Sequence, residues 1–137
     1  MEKMGQAFGQ GDEKRVILDT SVCIEILKEK QRAAVFFRSL DSATPYISAV
    51  TVFELMFRTY NAKQAEDFIA DAEVIDFDEN SARKASEIAL ELKQKGTPIA
   101  TADLLIAATA LANNCALATL NIKDFSRIKG LKLLKLR

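Results

Sequence analysis

Four acidic side chains in this sequence stand where chemistry is done in α/β proteins. They are Asp19, Glu54, Asp103 and Asp124. Asp19 follows "VIL" directly, and Glu54 lies in the first turns of a helix after "PYIS". Asp103 lies near the start of a helix after Thr97-Pro98, and Asp124 follows "ALATLNIK". In open α/β sheets, sites form outside the carboxyl ends of strands. Like charges gathered there repel, and their pKa values rise unless a cation intervenes. Such clusters support metal-assisted phosphoryl transfer, in which ions activate water and stabilise the leaving oxygen.

Asp103 is the most conspicuous of the four. It is the one charged residue among the 27 from Gly96 to Ile122, "GTPIATADLLIAATALANNCALATLNI". A carboxylate beside so much apolar surface is costly unless something pairs with it. Each acid also has a plainer reading. Asp19 could cap the helix that follows its strand. Thr51-x-x-Glu54 fits a capping box. Asp103 could sit in the first turn of a helix capped by Thr101, and Asp124 could cap a short turn before Phe125. Only the joint pattern carries weight.

The elements that would position these acids alternate along the chain. "RVILDTS" reads as a buried strand ending in a helix start, and "VCIEILKEK" and "QRAAVFFRSL" carry helical spacing. "TPYISAV" is a short strand that breaks into a helix at Ser48, continued by "TVFELMFRTY". "AKQAEDFIADA" is another helix, and "EVIDFD" alternates as a half-buried strand does. In "ENSARKASEIALELKQKG", Ala82, Ala85, Ile88, Ala89 and Leu92 form one apolar stripe, and Gly96 is the stop signal. The next helix runs to about Asn114. "CALATL" is a strand, "DFSRI" a turn or short helix, and "LKLLKL" a last strand. Strand–helix alternation implies an α/β sandwich with a mainly parallel sheet.

Composition narrows the chemistry. The 137 residues fit one domain, with residues 1–14 as a leader and 15–137 as the fold. Lys+Arg and Asp+Glu number 19 each, so overall charge argues for neither nucleic acid nor membrane. There is no histidine, which removes His-based triads and ordinary Cys/His zinc sites. Any metal must be held by oxygen, which favours Mg²⁺ or Mn²⁺. Cys23 and Cys115 lie in apolar stretches and read as small buried hydrophobes. No signal peptide and no apolar run of membrane-spanning length is present, so a cytoplasmic location is expected. The segment 123–137 holds six basic residues and one acid, and it could either hold phosphates or be a solvated face. Val50, Val52, Phe53, Leu55, Met56 and Phe57 are apolar almost all round their helix, with core packing the default and an interface for any surplus.

Four blocks, "VILDTSV", "ISAVTVFELMFR", "GTPIATADLLIAATA" and "LATLNIKDFSRI", resemble in order those of PIN-domain ribonucleases. The similarity is greatest to the VapC-type toxins of toxin–antitoxin pairs, and it covers about residues 15–137. The resemblance implies a PIN-like three-layer sandwich with a mainly parallel central sheet flanked by helices. It implies a metal-dependent endoribonuclease using Mg²⁺ or Mn²⁺, an RNA substrate, a homodimer and a VapB-like antitoxin. Asp19, Glu54 and Asp103 match the family's first three acids. Thr20 or Ser21 and Thr119 match the small hydroxyl positions beside them. Many PIN domains carry Asp where this chain has Asn121, and Asp124 could substitute or help hold water. Asp19 should then lie near Asp103 at one rim of the sheet.

Two rivals remain. A catalytically weak PIN-like module that binds a protein partner is favoured by Asn121. A receiver-like phosphoacceptor fares worse, because "VILDTSV" is preceded by Arg15 and Val16 rather than by a paired acidic group.

Overall fold

Three short apolar runs set the centre of the molecule: β1 (Val16–Leu18), β2 (Tyr46–Ser48) and β4 (Ala116–Thr119). The computed structural model describes residues 15–28, 45–58 and 61–135. The expected leader at 1–14 and the helical spacing over 31–40, with Phe36 and Phe37, lie outside these residues. The remaining strands are β3 (Glu73–Ile75) and β5 (Leu133–Lys135). The helices are α1 (Thr20–Leu27), α2 (Ala49–Arg58), α3 (Ala62–Ala70), α4 (Glu79–Gln94), α5 (Thr101–Ala112) and α6 (Ile122–Phe125).

Among the described residues, five strands form one sheet in the order β3-β2-β1-β4-β5, and every pairing is parallel. Parallel strands must be joined by crossovers, which the helices supply. Side chains alternate across each strand, and the core divides accordingly. Val16, Leu18, Ile47, Ala116 and Ala118 pack on one face with Val22, Cys23 and Leu55. Ile17 and Leu117 pack on the other with Ile88, Leu92 and Ile106 from α4 and α5. The result is three layers, helices over both faces of a sheet. Burying each such Ile or Leu side chain contributes about 2 kcal/mol relative to water. Cys23 and Cys115 are buried on opposite faces.

The element boundaries depart from the sequence reading in three places. β3 is short and largely exposed, because it is an edge strand with one neighbour. On α4 the buried stripe is Ser81, Ala85, Ile88 and Leu92, while Ala82 is exposed. On α2 only Leu55 of the six apolar residues is fully buried, and Phe53, Met56 and Phe57 face water. Gly96 does end α4. Its φ of +71° suits glycine, Thr97 N donates to Leu92 O at 2.9 Å and Gly96 N to Lys93 O at 3.0 Å. Those two bonds are a Schellman closure.

The topology sets the site. The chain moves outward from β1 through β2 to β3, then returns to place β4 on the other side of β1. The order therefore reverses between β1 and β4, and a crevice opens at their carboxyl ends.

Candidate active site

Asp19 is the first residue beyond β1 and sits at this crevice with only 3% of its surface exposed. Its backbone N–H donates to Ala118 O of β4 at 3.0 Å, which fixes it at the switch point. Oδ1 accepts from Ser21 Oγ at 2.6 Å and from Val22 N at 2.9 Å. Oδ2 accepts from Thr119 Oγ1 at the end of β4. Asp19 is therefore the N-cap of α1, as the plainer reading had it, and also a buried carboxylate shared by two strand ends. Burial raises its pKa above the usual carboxylate value, and hydrogen bonds from Ser21, Thr119 and Val22 work against that rise.

Glu54 reaches the same region from α2. Ser48 Oγ accepts from Val50 N at 3.0 Å and starts the helix there, so Thr51 does not begin it and no capping box forms. Thr51 is instead wholly buried, with its hydroxyl 3.1 Å from Thr20 Oγ1. Thr20 Oγ1 donates to Glu54 Oε1 at 2.6 Å. Thr51 was not among the candidate residues. Its signal was available, because positions 51, 54 and 58 share one helical face. Arg58 Nη1 stands 3.9 Å from Glu54 Oε2.

Asp103 lies in the first turn of α5. The N-cap is Ala100, not Thr101, and it makes no side-chain capping bond. The carboxyl of Asp103 is pushed up to about 6, first by burial and then by the negative charges of Asp19, Glu54 and Asp124. Arg58 is the cation that opposes this push. Asp103 thus feels the charges of the other three acids across the sheet rim.

Asp124 does not cap α6, because Asn121 occupies that position. Its Oδ2 accepts from Asn121 Nδ2 at 3.0 Å, and its Oδ1 pairs with Arg127 Nη1 at 3.2 Å. Asn121 N also donates to Thr119 Oγ1 at 2.8 Å. Asn121 therefore links Asp124 back to the Thr119–Asp19 pair. Of the basic segment, Arg127 is tied to the site, whereas Lys129 pairs with Glu91 at 3.7 Å.

The donor set suits a hard divalent cation, since it offers carboxylate and hydroxyl oxygens. Among the described residues, no three acids stand close enough to enclose an ion in a carboxylate cage. Mg²⁺ does not need one, because it keeps several waters and takes one or two carboxylates. Mutual repulsion among desolvated acids is what such an ion relieves. The residues fit a hydrated cation better than a closed protein cage.

The PIN domain family model matches residues 16–131. The tRNA(fMet)-specific endonuclease VapC of Salmonella typhimurium is 31% identical over 126 residues, covering 87% of this chain and 96% of that protein. Ribonuclease VapC2 of Rickettsia felis is 33% identical over 126 residues, covering 84% and 92%. The crystal structure of VapBC2 from Rickettsia felis bound to a promoter DNA fragment aligns at 31% identity and a TM-score of 0.79. That alignment covers 89% of this chain and 98% of that one. DNA-bound VapBC from Salmonella typhimurium aligns at 29% identity and a TM-score of 0.80, covering 90% and 98%. On sequence, fold and strand-end acids together, this chain belongs to the PIN-domain family, among the VapC ribonucleases.

Proposed function

We propose that the chain is a divalent-metal-dependent endoribonuclease and the toxin half of a VapBC-type pair. The observation that carries the reading is the hydrogen-bonded set at the β1/β4 switch point, where Thr119 holds Asp19, Thr20 holds Glu54 and Asn121 holds Asp124. A cation held there supplies charge to offset the developing oxyanion and acidifies water at the site.

In this reading Asp19 and Asp103 are the direct ligands. Ser21, Val22 and Thr119 hold Asp19 in one orientation, which lowers the reorganisation needed when substrate arrives. Glu54, fixed by Thr20, and Asp124, fixed by Asn121 and Arg127, orient water or a second Mg²⁺ or Mn²⁺. Asp124 takes the fourth acidic place, and Asn121 serves as its support. The substrate is RNA, and the relative named for tRNA(fMet) makes tRNA the first one to test. The partners are a VapB-like antitoxin, supported by the VapBC structural relatives, and a second copy of this chain. No described helix is long and apolar enough to cross a membrane, and the site of action is cytoplasmic RNA.

Asn121 in the fourth position and the absence of a three-acid cage among the described residues favour a second reading, a weakly catalytic protein-binding module. One experiment separates the two. Pure protein is incubated with RNA, with Mn²⁺ or with EDTA, beside Asp19→Asn and Asp103→Asn. The nuclease reading expects metal-dependent cleavage that falls at least about 100-fold in each variant. Cleavage equal in wild type and variants would mean contamination, and no cleavage at any metal concentration favours the binding module.

A further inference from the structure

Thr51 on α2 is wholly buried, and its hydroxyl is used outside its own helix. A helical threonine commonly bonds back to the carbonyl four residues before it. Thr109 on α5, equally buried, does so, with Leu105 O at 2.8 Å. Thr51 Oγ1 instead lies 3.1 Å from Thr20 Oγ1 of α1. A buried hydroxyl is unfavourable unless it is bonded, and valine would fill nearly the same space without that need. Packing alone therefore does not account for a threonine here.

The protons of this contact can be assigned. A threonine hydroxyl has one proton to donate and two lone pairs with which to accept. Thr20 donates its proton to Glu54 Oε1 at 2.6 Å. The bond between the two threonines must then run from Thr51 to Thr20. The order is Thr51, Thr20, Glu54, and bonds linked in this way polarise one another where water is excluded. Thr51 and Thr20 are 0% and 4% exposed, so solvent does not compete for them. Thr20 also follows Asp19 directly in the chain, so the same bond ties α2 to the residue at the switch point. Glu54 is left with Oε1 held, and with Arg58 a loose 3.9 Å from Oε2.

We propose that Thr51 is a positioning residue of the acidic site, one that locks the Thr20 hydroxyl with its proton on Glu54 Oε1 and leaves Oε2 as the oxygen Glu54 offers. Thr51 touches neither substrate nor metal and acts only through Thr20. Without its hydroxyl, Thr20 is free to turn, and Glu54 loses its fixed orientation. Removing a support of this kind, one step behind a metal-binding side chain, costs about tenfold or more in metal affinity or activity. The proposal rests on the metal-dependent ribonuclease reading, but its first readout is metal affinity and not cleavage.

Mn²⁺ affinity is measured from the EPR signal of free Mn²⁺, beside thermal melts and steady-state cleavage of tRNA. Thr51→Val keeps the shape of the side chain and removes the hydroxyl. It should melt close to wild type, bind Mn²⁺ about tenfold more weakly and lower kcat about tenfold with KM for tRNA unchanged. Thr51→Ser, which brings the hydroxyl back, should recover most of both losses. Thr51→Ala, which cannot clash, carries the same expectation as valine should valine impair folding. In a Thr20→Val background, adding Thr51→Val should leave Mn²⁺ affinity nearly where Thr20→Val alone puts it, because the link is already broken. Wild-type Mn²⁺ affinity in the Val and Ala variants overturns the proposal and makes Thr51 a packing residue. A loss from Thr51→Val that is equally large with and without the Thr20 hydroxyl overturns it as well, and so does wild type that binds no Mn²⁺. The expected Mn²⁺ pattern in a set of proteins none of which cleaves RNA would sink the nuclease reading and leave the role of Thr51 standing.

Discussion

Asp103 is a carboxylate held in a crowd of like charge, and its titration makes a prediction at the scale of one residue. Its pKa rises from 3.8 to about 6 on folding. Between those values the folded chain binds the proton more tightly than the unfolded chain does. Its contribution to stability is therefore fully present below 3.8 and is lost as pH rises to about 6. Metal-free protein should be destabilised by this group near neutral pH. Because the side chain is only half-buried, solvent screening reduces the effect to about 1 kcal/mol. Asp103→Asn should recover that amount in urea melts near neutral pH and flatten the pH dependence between 4 and 6. Mn²⁺ should raise the Tm of wild type and leave that of the variant little changed. Asp19, Glu54 and Asp124 were legible in the sequence because each comes shortly after a strand, where α/β sites form, and Asp103 because it is the lone charge of an apolar stretch. The hydroxyls were less so. Thr51 reads as half of a capping box with Glu54 until its buried hydroxyl is seen beside Thr20, and Asn121 looks like a lost acid until its two hydrogen bonds are seen.

At the scale of elements, α5 begins without a cap although it carries Asp103. Ala100 has the extended backbone of an N-cap and lacks an acceptor. Ala100→Ser should stabilise the protein by about 1 kcal/mol and leave metal-dependent cleavage intact, as thermal melts and an activity assay would check. The end of α4 makes the opposite prediction. A Cβ added at Gly96 meets no atom within 4 Å, but its φ of +71° is poor for alanine. Gly96→Ala should cost about 1 kcal/mol through the backbone alone, visible as a lower urea midpoint with an unchanged m-value. Helix existence was readable from periodicity, and the α4 stop from its glycine. That Ser81 rather than Ala82 begins the buried stripe of α4 was not. Alanine packs equally well inside and outside, so an Ala-rich stripe fixes the rotation of a helix loosely. β3 also read longer than it is, because alternation does not reveal that a strand has only one neighbour.

At the scale of the molecule, the parallel sheet follows from strand–helix alternation, but its order does not. The sequence holds no mark that places β4 against β1 rather than beyond β3. That choice comes from burial. "VIL" and "ALAT" are apolar on both faces and gain most at the centre, whereas "EVI" tolerates an edge. Ile17 sits at that centre, fully buried and paired in register with Leu117. Ile17→Ala should cost about 3 kcal/mol by leaving a cavity beneath the site, and should lower Tm and cleavage together. Ile17→Val should cost about 1 kcal/mol and preserve activity.

The bond between Asp19 and Thr119 joins residues 100 apart in the chain. Translation is directional, so this contact has a consequence in time. While the ribosome is still making the middle of the chain, β1 lacks its β4 neighbour, Asp19 has no Thr119, and Asp103 does not yet exist. The acidic centre is completed only when the last third of the polypeptide supplies Asp103, Thr119 and Asp124. If these acids carry the cleavage, as proposed, a chain still being made is inert, and a cell meets the activity only as finished molecules, when an antitoxin can already be waiting.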